Sequence, residues 1–251
     1  MDLALIAYGT AHAGNLEPYK NLPEFRKATI NMTLAAASFD EAFAQAPYLL
    51  ESQYVNSAGL VLGSSYGELG TTISFLEQLS QSQMARPLLF QNSLHNSTLG
   101  FLTMRLKLQG PAMTVSNSLV TGENCIELAA TLLNDKALPY CVVTAVDSIV
   151  TGLHLDDGHS IGSSGEGAAT LIVTTREQAQ LRQWPALAYL KRIEYHQASE
   201  RASKDANEPN AYHSDAIEKL IGHLRSGVKA NTLTLRKPNG SRTIVHLEHN
   251  A

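Results

Sequence analysis

Apolar positions along the chain fall into runs and periodicities that predict alternating strands and helices. Residues 3–11 form a short apolar run closing on Gly9 and Thr10, which suits a buried opening strand. Across residues 23–46 apolar side chains recur near helical spacing, at Phe25, Ala28, Ile30, Met32, Leu34, Ala37, Phe39, Ala42 and Phe43, and Pro47 ends the segment. Residues 59–65 predict a second buried strand. A helix over 68–82 follows, with Leu69, Ile73, Leu76 and Leu79 on one face. This alternation is the pattern of an α/β sheet.

Residues 87–90 (Pro-Leu-Leu-Phe) predict an extended segment, and residues 96–108 a helix that Gly110-Pro111 breaks. A short strand from Ala112 then runs through a sharp elbow into a helix over 122–134, which turns Cys125, Leu128, Ala129, Leu132 and Leu133 inward. Thr121 is placed to cap that helix, and Glu123 favours its first turn. Residues 140–146 predict a strand, 152–167 a polar loop and 168–174 another strand. Beyond Glu177 the character changes: a strand over 186–196, a polar loop over 201–210 and an amphipathic helix over 215–224 with Ile217, Leu220 and Ile221 on its face. Two alternating segments around Pro238-Asn239-Gly240 signal a hairpin. The expected organisation is a main domain over 1–177 and a C-terminal extension over 178–251 packed on it.

Composition narrows the class. With 251 residues and 44% hydrophobic content the chain can bury a substantial core. The net charge is only −4 and the 19 Lys and Arg are scattered, so no basic stripe points to nucleic acid; small molecules or proteins are the expected partners. Cys125 and Cys141 both fall in elements expected to be buried and reduced, which suits a cytoplasmic location. The first six residues lack a basic region, and no apolar run of about 18 residues follows, so neither export nor a membrane span is expected.

Several residues bear on chemistry. An elbow between strand and helix points its apex side chain at the positive end of the helix, where many enzymes hold a nucleophile. Here the apex is Leu119, which has no lone pair to attack with. Gly63-Ser64-Ser65-Tyr66-Gly67 is a G-x-S-x-G between a predicted strand and helix, making Ser65 an alternative nucleophile of a serine hydrolase, with Asp147 and either His196 or His213 as nominal partners. His154, Asp156, Asp157 and His159 gather metal-ligating types in one loop, but no distant third ligand is identifiable, so a solvated acidic loop is the preferred reading and no metal site is expected. The 162–167 run lacks the lysine and glycine spacing of a phosphate loop, and no cofactor is expected. His95 is read as satisfying a helix end.

Three stretches together resemble the β-ketoacyl synthases of the thiolase-like superfamily over roughly residues 1–175: residues 87–96 running into Gly100, Gly110-Pro111 with the strand and elbow, and Gly165-Glu166-Gly167-Ala168-Ala169, like the family's G-E-G-A run. The resemblance implies a thiolase-like βαβαβαββ layered α/β fold, corresponding to the N-terminal half of a ketosynthase with an α+β extension. In active members the elbow reads G-P, a few variable residues, then A-C-x-x-G, and the cysteine carries the acyl chain as a thioester. Aligned on Gly110-Pro111 and Gly122, the alanine position is Ser118 and the cysteine position Leu119. Cys125 lies six residues later, inside the helix. The family's two histidines stand in H-G-T and N-x-F-G-F-G contexts of a C-terminal half, and neither context occurs here.

The resemblance therefore implies a chain-length-factor-like protein: a catalytically inactive ketosynthase homologue that pairs with an active ketosynthase and meets an acyl carrier protein through the complex. Gly67-Glu68-Leu69 and the short length are similar to the short chain-length-factor-like proteins of bacterial aryl polyene clusters. By the same resemblance, Met113, Thr114, Val115, Ser116, Asn117 and Ser118 are expected at the dimer interface, and Leu88, Leu89, Phe90 and Leu94 at the end of the acyl tunnel. A homodimer that binds acyl groups without processing them is the other alternative to the heterodimer.

Overall fold

The computed structural model describes residues 2–135, 138–148, 166–197, 215–237 and 240–249. Its strands are β1 (Leu3–His12), β2 (Gly59–Gly63), β3 (Ala112–Val115), β4 (Cys141–Asp147), β5 (Gly167–Thr175), β6 (Ala188–His196), β7 (Thr232–Arg236) and β8 (Arg242–His249). Its helices are α1 (Ile30–Gln45), α2 (Ser52–Val55), α3 (Leu69–Ser82), α4 (Pro87–Asn92), α5 (Ser97–Leu106), α6 (Thr121–Asp135), α7 (Arg176–Leu181) and α8 (Asp215–Arg225). All eight strands join one sheet in the order β3-β2-β4-β5-β1-β6-β8-β7. β2 runs parallel to β3 and β4, and the remaining pairs are antiparallel.

Helices cover both faces of the sheet, which explains why its central strands read as unbroken apolar runs rather than alternating ones. On one face α1 and α5 bury Leu34, Phe39, Phe43, Leu99 and Leu102 against Leu60, Leu62, Val142 and Ile172. On the other, α6 and α8 bury Ile126, Ala129, Ile217, Leu220 and Ile221 against Val61, Val143, Leu171 and Val173. Alternate residues of one strand thus feed two separate cores. Contact between α1 and β1 is close enough that a Cβ on Gly9 would lie 2.0 Å from the Ser38 carbonyl oxygen, so only glycine fits there.

Two elements depart from the pattern-based reading. The helical periodicity over 23–46 resolves into a 3-10 turn at Pro23–Phe25 and a helix that starts only at Ile30. Thr29 sets that start: its backbone is extended and its hydroxyl accepts from the Met32 N–H, the geometry of an N-cap. Pro87 to Phe90, expected to be extended, lies in α4. Proline in the first helical turn has its φ already set for a helix and gives up an N–H that would have no partner anyway, and a four-residue apolar run cannot distinguish strand from buried helix.

The segment after residue 177 extends the same sheet. β6 pairs with β1 through Leu3–Leu5 and Ala188–Leu190 on one side, and with β8 over its whole length on the other. The β7–β8 hairpin forms as its turn residues predict, closed by a bond from the Lys237 N–H to the Ser241 carbonyl. The loop candidates His154, Asp156, Asp157 and His159, together with the 162–165 run, His213 and residues 201–210, lie outside the described residues. Among the described residues no helix is long and apolar enough to cross a membrane.

Candidate functional site

The elbow begins where β3 leaves the sheet edge. Among the described residues β3 pairs with β2 alone, and the pairing ends with the Ser64 N–H bonded to the Val115 carbonyl. Beyond Val115 the Asn117 N–H donates to Thr121 Oγ1 (2.8 Å) and its carbonyl accepts from the Val120 N–H (3.2 Å). Thr121, expected as the cap of the elbow helix, is its first residue and turns its hydroxyl back to the strand side of the elbow. Between these anchors, a 3-10 turn at Ser118–Val120 carries the half-buried Leu119 at its centre. The start of α6 crosses tightly over the end of β2: a Cβ on Gly63 would stand 2.7 Å from Cys125 Sγ and 3.0 Å from Thr121 Cγ2. An elbow of the expected shape is therefore present, and its apex is a hydrocarbon.

The cysteine in the same helix does not substitute for the missing nucleophile. Cys125 is fully buried, and burial, helped by the nearby Glu123 carboxylate, pushes its thiol up to about 12. Roughly one thiol in 10^5 would be ionised at pH 7, and the thiolate is the reactive form. Cys141 is equally buried, with its thiol also pushed up to about 12, mainly by desolvation.

The structure places the Gly63–Gly67 turn beside the elbow: Ser116 Oγ donates to the Ser65 carbonyl (3.3 Å). Ser65 Oγ donates directly to Asp147 Oδ2 at 2.9 Å. The other carboxylate oxygen of Asp147 accepts from Ser64 Oγ and the Ser65 N–H, both at 2.9 Å, and from the Tyr66 N–H at 3.4 Å. In a hydrolase an imidazole stands between serine and carboxylate to take the proton. Here the carboxylate occupies that place, and His196 sits beside Glu194 on β6. Asp147 is a turn-closing acceptor at the end of β4, 1% exposed, and burial pushes its carboxyl up while the four donors pull it down.

A second buried carboxylate secures the entry of α3. Glu68 accepts hydroxyl hydrogen bonds from Thr29 (2.8 Å), Thr98 (2.5 Å) and Thr71 (3.3 Å), tying the starts of α1, α5 and α3 together. Burial raises its carboxyl above the usual range. His95, rather than satisfying a helix end, is exposed and lies over Gly67, where a Cβ would meet its Nδ1 at 2.2 Å.

From this anchored start α3 and α4 project an apolar surface. No residue of either helix is buried. Leu76, Leu79, Leu88, Phe90 and Leu94 are exposed, Leu89 is half-buried, and Phe90 packs at a tilt against Phe75 with ring centroids 5.7 Å apart. Of the expected interface residues, Met113 is 43% exposed on the edge strand, Thr114 and Val115 are half-buried, and Ser116 and Asn117 are exposed. Ser118 opens the 3-10 turn.

Sequence reasoning missed the polar side chains that brace the elbow helix from the C-terminal strands. Lys237, after β7, is ion-paired to Glu123, and Tyr195 of β6 donates to Glu127 (2.8 Å) beside Asn124. A buried lysine next to a hairpin turn carries no local signal. Among the described residues, no group of three or more His, Cys, Asp or Glu is arranged to hold a metal.

No curated protein sequence matches the chain significantly. Similar chains occur in solved structures. One is described as a type II PKS acyl-carrier protein in complex with its ketosynthase bound to the hexaketide, AntDE:AntF (TM-score 0.77, 13% identity, 99% of each chain covered). Another is the ishigamide ketosynthase/chain length factor (TM-score 0.75, 14% identity, 100% of each chain). A third is the ketosynthase ApeO in complex with its chain length factor ApeC from Xenorhabdus doucetiae (TM-score 0.69, 15% identity, 98% of this chain and 99% of that one). At these identities the likeness is one of fold. The sequence itself matches the family described as beta-ketoacyl synthase, N-terminal domain, over residues 38–233. With most of its length matched to that family and its layered sheet shared with those structures, the chain belongs to the β-ketoacyl synthase N-terminal domain family and has the thiolase-like ketosynthase fold.

Proposed function

We propose that the chain is a non-catalytic, chain-length-factor-like subunit that pairs with an active β-ketoacyl-ACP synthase and bounds the tunnel in which a growing polyketide or aryl polyene chain lies. The observation that carries this reading is the elbow: its hydrogen-bonded geometry is intact and its apex is Leu119, the position that the sequence resemblance aligns with the acyl-bearing cysteine of active members. Cys125 is too buried and too weakly acidic to replace it. The sequence also has neither histidine context of the family, so the thiolate and both imidazoles would come from the partner.

Two surfaces support pairing. β3 is a sheet edge with Met113 exposed on it, and an unpaired edge strand is a template for another strand. Helix α3 is 14 residues long and buries none of them, although helices of that length draw most of their stability from packing. An apolar surface made by Leu76, Leu88, Phe90 and Leu94 is therefore suited to being covered, by a partner on one side and an acyl chain on the other. In this arrangement the subunit measures product length by steric exclusion, because each further chain unit must fit between these side chains. A chain of the complex between the ketosynthase ApeO and its chain length factor ApeC shares this fold, which is consistent with this assignment.

The test is reconstitution of the chain with a co-expressed ketosynthase and loaded acyl carrier protein, followed by intact mass measurement. The expected result is an acyl adduct on the ketosynthase, none on this chain, and extended product only when both are present. Acylation of this chain, or full-length product without it, overturns the proposal.

A further inference from the structure

We infer that Lys237 and Tyr195, both supplied by the C-terminal strands, are positioning residues for the elbow: they latch the first two turns of α6 and so determine where β3 and Leu119 sit. The Lys237 ammonium lies 2.6 Å from the Glu123 carboxylate, with the two side chains only 5% and 1% exposed. Lysine is almost never this buried unless paired, and withdrawing both charges from water is costly, so the pair needs a reason beyond hairpin formation. A lysine required only by the hairpin would leave its ammonium in water. Here the side chain instead reaches the first turn of the elbow helix, two residues past Thr121, whose hydroxyl closes the elbow.

Tyr195 provides an independent second contact. After Leu190, β6 leaves β1, and its far half is paired to β8. Near the end of that half the Tyr195 hydroxyl donates to Glu127 (2.8 Å) and accepts from Asn124 Nδ2 (3.2 Å). Asn124 Oδ1 in turn accepts from the Asn117 side chain, at the point where the chain leaves β3. One hydrogen-bonded path therefore runs from β6 to the entrance of the elbow, and one ion pair runs from the β7–β8 hairpin to its exit. Both use residues far apart in sequence, and both converge on the same two helical turns. Of the two contacts only the Lys237–Glu123 pair is buried, and a buried pair that must be matched to be tolerated is a means of fixing one register among several that apolar packing alone would accept, while the exposed Tyr195 path adds a weaker tie.

The latch can be tested on the purified chain by amide hydrogen exchange. Lys237→Met is expected to speed exchange over residues 116–127 by about 10-fold or more, with changes below about 2-fold in α1, β4 and β5, because it strands Glu123 beneath the elbow. Lys237→Arg, which keeps the charge, should retain most of the protection. Tyr195→Phe removes one hydroxyl and no packing volume; it should loosen the same residues by about 3-fold and carries the test if Lys237→Met does not fold. Unchanged exchange at 116–127, or equal loosening throughout the chain, overturns the inference. The consequence for partner binding rests on the function proposed above and is read separately: a latch variant should also bind the co-expressed ketosynthase more weakly. Failure of the unaltered chain to bind any ketosynthase would overturn that function and leave the exchange result standing.

Discussion

Asp147 shows how one side chain organises the region beside the elbow. Its carboxylate gathers four donors from Ser64, Ser65 and Tyr66 at the end of β4, and burial nonetheless holds its carboxyl above the ordinary value. A carboxyl with a raised folded pKa keeps its proton longer in the fold than in the unfolded chain. Stability from it is therefore greatest at low pH and is lost as pH rises from about 4 through the folded pKa. Asp147→Asn removes that slope, and its amide can still accept from the backbone while Ser65 reverses to accept from it. Chemical denaturation should place Asp147→Asn within about 1 kcal/mol of the parent at pH 4.5, with the difference moving in the variant's favour by pH 8. Asp147→Ala should cost about 3 kcal/mol at pH 4.5, since it strands the donors, and less at pH 8, where the parent has lost the stability tied to its raised pKa. A parent that gains on Asp147→Asn as pH rises would contradict the raised pKa. Little of this was legible beforehand: Leu119 and the buried Cys125 could be read by counting from Gly110-Pro111, because the spacing of an elbow is local. The role of Asp147 depends on β2 and β4 lying side by side, which no local pattern encodes.

At the scale of elements, the edge strand and the α3–α4 surface carry the functional reading. In the β2–β3 ladder the carbonyls of Pro111 and Val115 face β2, so by alternation Ala112 and Thr114 direct their backbone groups to the open edge. Thr114→Pro deletes an outward N–H and leaves the inward ladder in place. It should weaken association with a ketosynthase by about 10-fold or more while moving the melting temperature of the free chain only slightly, as measured by binding titration and calorimetry. Equal affinity for the two forms would remove β3 from the interface.

Because Pro87–Asn92 is helical, Leu88, Leu89 and Phe90 point about 100° apart rather than along one wall. In the proposed tunnel Phe90, exposed and packed against Phe75, would act as the stop. In a reconstituted complex Phe90→Ala should shift products toward longer chains by one or more elongation units, seen by mass spectrometry, and an unchanged product distribution would take Phe90 off the tunnel. The helices over 69–82, 97–106 and 215–225 were readable because their apolar periodicity spans several turns. The six-residue α4 offered too little period to read, and only the proline marked its start.

For the molecule as a whole, the sheet does not stop where the sequence changes character. β6, β8 and β7 continue it past β1, and α8 completes the core that α6 begins, with Ile217, Leu220 and Ile221 packed against Leu171 and Val173. The hairpin and the amphipathic helix were each legible from their own residues. Their attachment was not, since the Lys237–Glu123 pair and the Tyr195 contacts join positions 114 and 68 residues apart. This continuity supports the view that the C-terminal strands serve the elbow and that the elbow serves an interface.

The central claim is that the chain is half of an enzyme rather than an enzyme. It is tested most directly by the composition of the complex, measured by light scattering after size-exclusion chromatography of the chain co-expressed with an active β-ketoacyl synthase. A single species containing one copy of each polypeptide in a 1:1 ratio, stable enough to survive the column, is the predicted result. A homodimer or monomer of this chain that elutes apart from the ketosynthase would contradict it.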